Sequence, residues 1–441
     1  MAKKPSLLSN TVIILLVSMV FANIGGQMYG PMLPLYVQKL GADINHIGIF
    51  FTLGMIAPLL FQILGGWLSD AIGRVQAMAI GSLAGLAGYI VFTIAPSWIW
   101  LLLAVSFLAM ASSFVGPSFQ ALVAEQSSEA TRGRVFSITQ GVFMIVGVIG
   151  APLGGYLADR VGFRWMFGVA AALYGVATVI RLFMSSKIRK DEKASEAAPR
   201  PAPSFSHLKV SLAALIGLMI GGGIVTWIFL SDGVGDFTFT MIGNLFPLYM
   251  NNIIGMSKTQ LGILSGIASI VTMAFIVLGG MLSDKAGERV GIVLGNLLIG
   301  AAIFIMMNVT AYSSFIAAWV LLGLGQALTN PAYNALISKV VPKHLRGTAF
   351  GFFSTSVGVL SLPSPYIGTW LWQRFGPRVP FYVPLVAMIA MLPVTWFKFK
   401  LPKTNGAEPQ AGEPALSPSK GPGGDLPQPA PVETPEGVTA D

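Results

Sequence analysis

Twelve long stretches of almost entirely apolar residues, separated by short polar breaks, constrain this chain more than any other feature. They fall at 11–37, 46–68, 75–96, 98–124, 135–157 and 164–184. They resume at 224–250, 259–282, 289–310, 313–338, 348–372 and 378–399. A hydrocarbon core about 30 Å thick needs about 20 apolar residues in a helix. Each stretch is long enough to cross a membrane. No run alternates polar and apolar residues as a barrel strand would. The first stretch follows Lys3 and Lys4 and is too long for the apolar region of a signal peptide, so it reads as a retained helix.

Only 10% of the residues are charged, against about 25% in a soluble domain. That composition excludes a soluble enzyme and a disordered chain. The net charge of +9 is no nucleic-acid signal, because the charges gather on one side of a membrane. With alternate loops assigned to alternate faces, 21 of the 27 Lys and Arg lie on the face of the N-terminus. The positive-inside rule makes that face cytoplasmic. The expectation is a multi-pass cell-membrane protein with both termini cytoplasmic. Residues 185–208, with Lys187, Arg189, Lys190, Lys193 and three prolines, read as a cytoplasmic linker, and Arg181 is counted with it. Residues 401–441 hold 9 Pro and 6 Gly and read as a disordered tail. The segment 209–222 reads as an interfacial helix or as an extension of the seventh span.

One internal offset organises the chain. Gly66-Trp67-Leu68-Ser69-Asp70 returns as Gly280-Met281-Leu282-Ser283-Asp284, 214 residues later. Pro117 returns as Pro331, Arg132-Gly133 as Arg346-Gly347, and Phe167 as Phe381; Pro34-Leu35-Tyr36 returns at 213. The expected fold is therefore all-α: a polytopic membrane protein with twelve transmembrane helices in two pseudo-symmetric six-helix bundles, 1–184 and 209–400.

The loop after the second span reads Gly66-x-Leu68-x-Asp70-x-x-Gly73-Arg74. It closely resembles the signature loop of the major facilitator superfamily. The second copy, Gly280-x-Leu282-x-Asp284-x-x-Gly287-Glu288-Arg289, reads as the same loop with Glu288 inserted before Arg289. With the twelve spans and the central linker, the resemblance covers about residues 10–400. It implies secondary transport by alternating access. Glycines let the helix ends turn tightly, and the Asp and Arg of each loop can change partners between conformations, as a gate requires. A plain helix-turn cap is the alternative. The fifth span carries Gly147, Gly150, Pro152, Gly154 and Gly155, similar to the glycine–proline motif of antiporter branches, although only Leu153 separates Pro152 from the glycine pair. Tight helix packing is the other reading of that motif. The region 103–115 contains no charged residue.

Polar residues within the spans point to a substrate path, because lipid does not accept them. Asn23 and Gln27 lie four apart on the first span, and their repeat mates are Asp236 and Thr240. Gln120 on the fourth span matches Asn334 on the tenth, which adds Gln326 and Asn330. These faces are expected to converge on a central cavity; interhelical hydrogen bonding is the competing reading. Asp236 lies deepest of the carboxylates, with Asp232 nearer the cytoplasmic interface. A carboxylate at that depth is a natural proton or cation carrier, although both residues could instead cap the start of the seventh span.

Cys is absent, so no disulfide or thiolate metal site exists, and His46, His207 and His344 lie near span ends or in loops. No phosphate-binding loop, GxSxG or HExxH motif occurs. No cofactor, no metal and no enzymatic activity are expected. The expected function is efflux of amphipathic compounds coupled to protons, by a monomer whose partners are a small-molecule substrate, protons or another cation, and the lipid bilayer. Uptake or uniport of a neutral metabolite such as a sugar is the alternative. A non-transporting receptor or assembly factor is the alternative of another class.

Overall fold

The computed structural model describes residues 9–61, 69, 72–127, 129–194, 223–340 and 358–399. Every regular element among them is helical. Ten of the helical segments are long and apolar enough to cross a membrane.

Local chemistry sets where the helices begin. Ser9 caps α1 (Asn10–Tyr29) by accepting from the Val12 amide at 3.2 Å. A 3-10 turn at Gly30–Met32 leads into α2 (Leu33–Lys39). Asp43 caps α3 (Ile44–Gly54) by accepting from the His46 amide at 2.8 Å, and that bond holds the Asp43 carboxyl below its usual range. The first half continues with α4 (Arg74–Ile94), α5 (Trp98–Glu125), α6 (Glu129–Arg160) and α7 (Phe163–Ala194). Helix α7 runs past the expected end of the sixth span and takes up the start of the expected linker. The rest of the linker, the segment 209–222 and the tail lie outside the described residues.

The second half opens at Gly223 with α8 (Ile224–Gly243) and α9 (Leu245–Leu248), followed by a π-helical turn at Tyr249–Ile253. Ser257 and Gln260 form a reciprocal capping box at the start of α10 (Lys258–Ala286). Then come α11 (Glu288–Asn308), α12 (Tyr312–Val340), α13 (Ser364–Phe375) and α14 (Val379–Lys398).

The internal repeat is written into the backbone. The described glycines with positive φ are Gly41, Gly73, Gly162, Gly255, Gly287 and Gly376, and they form three pairs at the 214-residue offset. Each pair marks the same turn in both halves, where a left-handed conformation excludes most side chains. Pro117 and Pro331 interrupt α5 and α12 at matching positions. The rings of Tyr36 and Phe167 lie 4.9 Å apart, and their mates Tyr249 and Phe381 lie 5.3 Å apart. The offset is 213 at Tyr36 and Tyr249 but 214 at Gly41 and Gly255. The π-helical turn lies between these positions. A π turn is how a helix absorbs one additional residue without breaking.

Within the first half, α1 packs on α6 and α7, and α4 packs on α5 and α7. In the second half, α10 packs on α12, α11 on α12 and α14, and α8 on α13 and α14. The α6–α10 and α3–α13 contacts join the halves. At the α6–α10 seam, Gly155 lies against the Lys258 carbonyl and Gly262 against the Ala151 carbonyl, so backbone touches backbone. Outward-facing positions carry large apolar side chains, Phe183, Val277 and Phe397 among them, as a lipid-facing surface requires. The chain is a multi-pass membrane protein.

Candidate functional site

Helical spacing places Asp232 and Asp236 on one face of α8, and Gln326, Asn330 and Asn334 on one face of α12. The structure brings these two faces together around a cavity of about 630 Å³. Asn296 of α11 and Met388 of α14 help to close it, and Ser231, Thr329 and Tyr333 add hydroxyls. The Ser231 and Tyr333 hydroxyls lie 3.3 Å apart. The buried Ser361 hydroxyl donates to Asp236 Oδ2 at 2.9 Å, which helps to fix that carboxylate. Asp232, expected near the interface, lines the same cavity as Asp236. The arrangement offers two carboxylates, amides and hydroxyls to a solute or to a cation. Among the described residues no group of three or more His, Asp and Glu is placed to hold a metal ion.

Other sequence candidates fall elsewhere. Thr240 is half-buried and does not line this cavity. Gln27 packs at the seam between α1 and α6, against Gly150. Gln120 is exposed on α5. Asn23 lines a second cavity, of about 220 Å³, inside the first half. This second cavity is the repeat equivalent of the first: Met19, Asn23, Ser112 and Gly116 line it where Asp232, Asp236, Gln326 and Asn330 line the other. The polar residues of the two halves thus line two cavities at matching positions of the repeat.

Arg181 also lines the second cavity. Its place near the end of the sixth span made it part of the charged linker in the sequence reading. The structure turns it inward instead: it is 0% exposed. Its Nε donates to Ser18 at 3.1 Å, Nη1 to Ser82 at 2.7 Å, and Nη2 to the Met19 sulfur at 3.0 Å. Tyr174 lies alongside, with its ring centre 5.9 Å from the guanidinium carbon. The small hydroxyls on α1 and α4 were the signal that could have found it.

Of the loop residues singled out from sequence, Gly66 and Asp70 lie outside the described residues. Gly73 and Gly287 adopt matching positive φ, 107° and 93°. Arg74 Nε donates to Glu125 Oε1 at 2.9 Å, and its Nη1 to Ser69 at 3.1 Å. In the second half Glu288 pairs with Lys339. Glu288 is the 214-residue mate of Arg74, and Lys339 is the mate of Glu125. The same ion pair therefore recurs with its charges exchanged. Glu288 substitutes for Arg74 rather than being inserted beside it, because the glycine before each has the same conformation. Arg289 instead lies over the Trp396 ring at 4.8 Å and reaches that residue's carbonyl at 3.4 Å. Asp284 is exposed at the end of α10, and a Cβ on Gly280 would meet nothing within 4 Å.

At the opposite end of the bundle, Asp159 of α6 meets the start of α10. Its carboxylate accepts from the Lys258 amide at 3.2 Å, the Lys258 ammonium at 3.1 Å, and the Thr259 amide and hydroxyl, each at 2.7 Å. A carboxylate at a helix N-terminus satisfies amides that have no partner within the helix. Nearby, Asn252 donates to Gln38 at 3.0 Å, and Gly48 packs on Thr369. All these contacts join the two halves.

Comparison with known proteins agrees with this architecture. The model for the Major Facilitator Superfamily matches twice, over residues 15–235 and 228–432. The chain is similar to the multidrug resistance protein MdtG of Proteus mirabilis, at 25% identity over 391 residues covering 86% of this chain and 93% of that protein. It is similar to the multi-drug resistance efflux pump PmrA of Streptococcus pneumoniae, at 24% identity covering 80% and 86%. In fold it resembles the crystal structure of a D-xylose–proton symporter, with a TM-score of 0.68 at 14% identity, covering 90% of this chain and 98% of that one. With the repeated turns and the apolar helices, these matches place the chain in the Major Facilitator Superfamily, a family of transporters rather than enzymes.

Proposed function

We propose that this chain is a proton-coupled exporter of amphipathic small molecules in the cell membrane. Two six-helix bundles, 1–184 and 209–400, rock about the central cavities, with both termini and the linker on the cytoplasmic side. The observation that carries the coupling is the placement of Asp232 and Asp236 together in the larger cavity, on one face of α8. A carboxylate there must gain a proton or a cation before the site can be occluded, since an unpaired charge in a dry interior is costly. Export is supported by relatives named as multidrug resistance and efflux proteins. The contacts of Asp159, Gln38 and Gly48 gather at the end expected to face outward, which supports reading this arrangement as closed to the outside.

Flux in proteoliposomes with an imposed pH gradient tests the proposal, using a panel of amphipathic dyes and neutral sugars. Dye movement driven by the gradient is the expected result. Gradient-independent equilibration of sugars, with no dye movement, would replace it with uniport of a neutral metabolite.

A further inference from the structure

A guanidinium stays charged at any pH a cell reaches, and it carries five N–H donors. Arg181 is buried completely, yet among the described residues its contacts are with neutral groups: two serine hydroxyls, a thioether and a phenol ring. Among the described residues no carboxylate pairs with it. A buried charge without a counter-charge is costly to maintain, and this one borders a cavity of about 220 Å³. The walls of that cavity are aromatic. Tyr89 stands edge-on to Tyr29 with 5.9 Å between ring centres, and Tyr174 lies 5.1 Å from Tyr89. Asn23, Ser112 and Gly116 add small and polar positions to the lining. The repeat sharpens the point: the mate of Arg181 is Thr395, and the matching cavity of the second half carries carboxylates instead.

We propose that the cavity of the first half is a binding site for an anionic amphiphile, specifically a small aromatic carboxylate whose charged end meets Arg181 and whose ring lies among the tyrosines. Charge-assisted hydrogen bonds from a guanidinium to a carboxylate are strong and directional. Edge-to-face contacts with the tyrosine rings suit a planar body. As a route for substrate, the site rests on the transport proposed above; as a binding site it does not.

The test uses the full chain in phosphatidylcholine nanodiscs and equilibrium dialysis against radiolabelled benzoate. Saturable benzoate binding is expected, with neutral benzamide and cationic benzylamine competing at least about tenfold less well. Arg181→Gln is expected to weaken benzoate about tenfold to a hundredfold. Should that variant fold poorly, Gly116→Leu carries the test. A Cβ at Gly116 meets nothing within 4 Å, so leucine fills the cavity while Arg181 keeps its serines. It too is expected to lose benzoate. Asp236→Asn should retain benzoate binding even where it loses proton-driven flux, which separates this site from the coupling site. The proposal is overturned if benzoate does not bind saturably, if benzamide competes equally, if chloride at equal concentration displaces benzoate, or if Gly116→Leu binds benzoate like the parent.

Discussion

In the first half of the chain Arg181 holds Ser18 and Ser82 together; in the second half the matching positions are Thr395, Ser231 and Asn296. Thr395 is too short to span that distance. Its hydroxyl turns back to the Met391 carbonyl at 3.0 Å, while Ser231 and Asn296 border the large cavity. One long side chain accompanies the smaller cavity and one short side chain the larger. The exchange also reverses the charge, since Met19 and Asn23 of the first half become Asp232 and Asp236. A duplicated scaffold can hold its turns and helix contacts fixed while the chemistry of its two interiors diverges.

The sharpest way to break this comparison is at the carboxylate. Asp236→Asn copies the first half and is expected to abolish accumulation driven by a pH gradient while leaving downhill exchange, measured in proteoliposomes. Adding Asn23→Asp should not rescue it, because a carboxylate there shares its cavity with Arg181. Recovery of accumulation in the double variant would show that the two cavities are interchangeable.

Next in size is the seam. Gly155→Leu drives a side chain into the Lys258 backbone, whereas a Cβ at Gly147 meets only side chains, Ser269 at 3.4 Å and Gln27 at 3.7 Å, as Gly147→Leu would test. The first is expected to cost about 1–3 kcal/mol, as overpacking does, and to lower the thermal midpoint. The second should be milder. Equal midpoints would mean that the seam yields.

The latch between the halves is expected to matter less, because water reaches it. Asp159→Asn removes the charge from a carboxylate that accepts four hydrogen bonds, and an exposure of 23% discounts the loss to about 1 kcal/mol. The chain lacks native Cys, so spin labels at Lys39→Cys and Ile253→Cys can report the separation of the halves at that end. A larger share of long distances is expected in the Asn variant; an unchanged distribution would remove Asp159 from the latch.

The smallest effect concerns the exchanged ion pairs. Arg74→Glu and Glu125→Lys should each slow transport two- to fivefold, about 0.5–1 kcal/mol for a partly exposed pair. The double variant reproduces the polarity of Glu288 and Lys339 and should recover most of the rate. Failure to recover would show that Arg74 has work beyond Glu125.

Much of the architecture was legible before any coordinates. Apolar length and the 214-residue offset depend only on backbone geometry and hydrophobicity, and these the sequence states directly. Spacing of four residues was enough to find Asp232, Asp236, Gln326, Asn330 and Asn334 on facing helices. Arg181 was not legible in the same way. Hydropathy cannot tell an arginine that reaches back to the interface from one turned inward on serine hydroxyls of two other helices. Glu288 was misread for a different reason. Aligning arginine with arginine broke the offset by one residue, whereas keeping the offset would have exposed the inverted pair with Lys339. The one true change of offset, near Tyr249, leaves no mark in composition because a π turn needs no special residue.

The backbone contacts between α6 and α10 bear on how the halves move. Side chains that interlock like gear teeth must climb over one another before two helices can slide or roll. Gly155 and Gly262 present no such teeth. A smooth bearing surface of this kind resists separation yet offers little friction to rotation in its plane. If the halves rock as proposed, they can change tilt without unpacking the contact on which they turn.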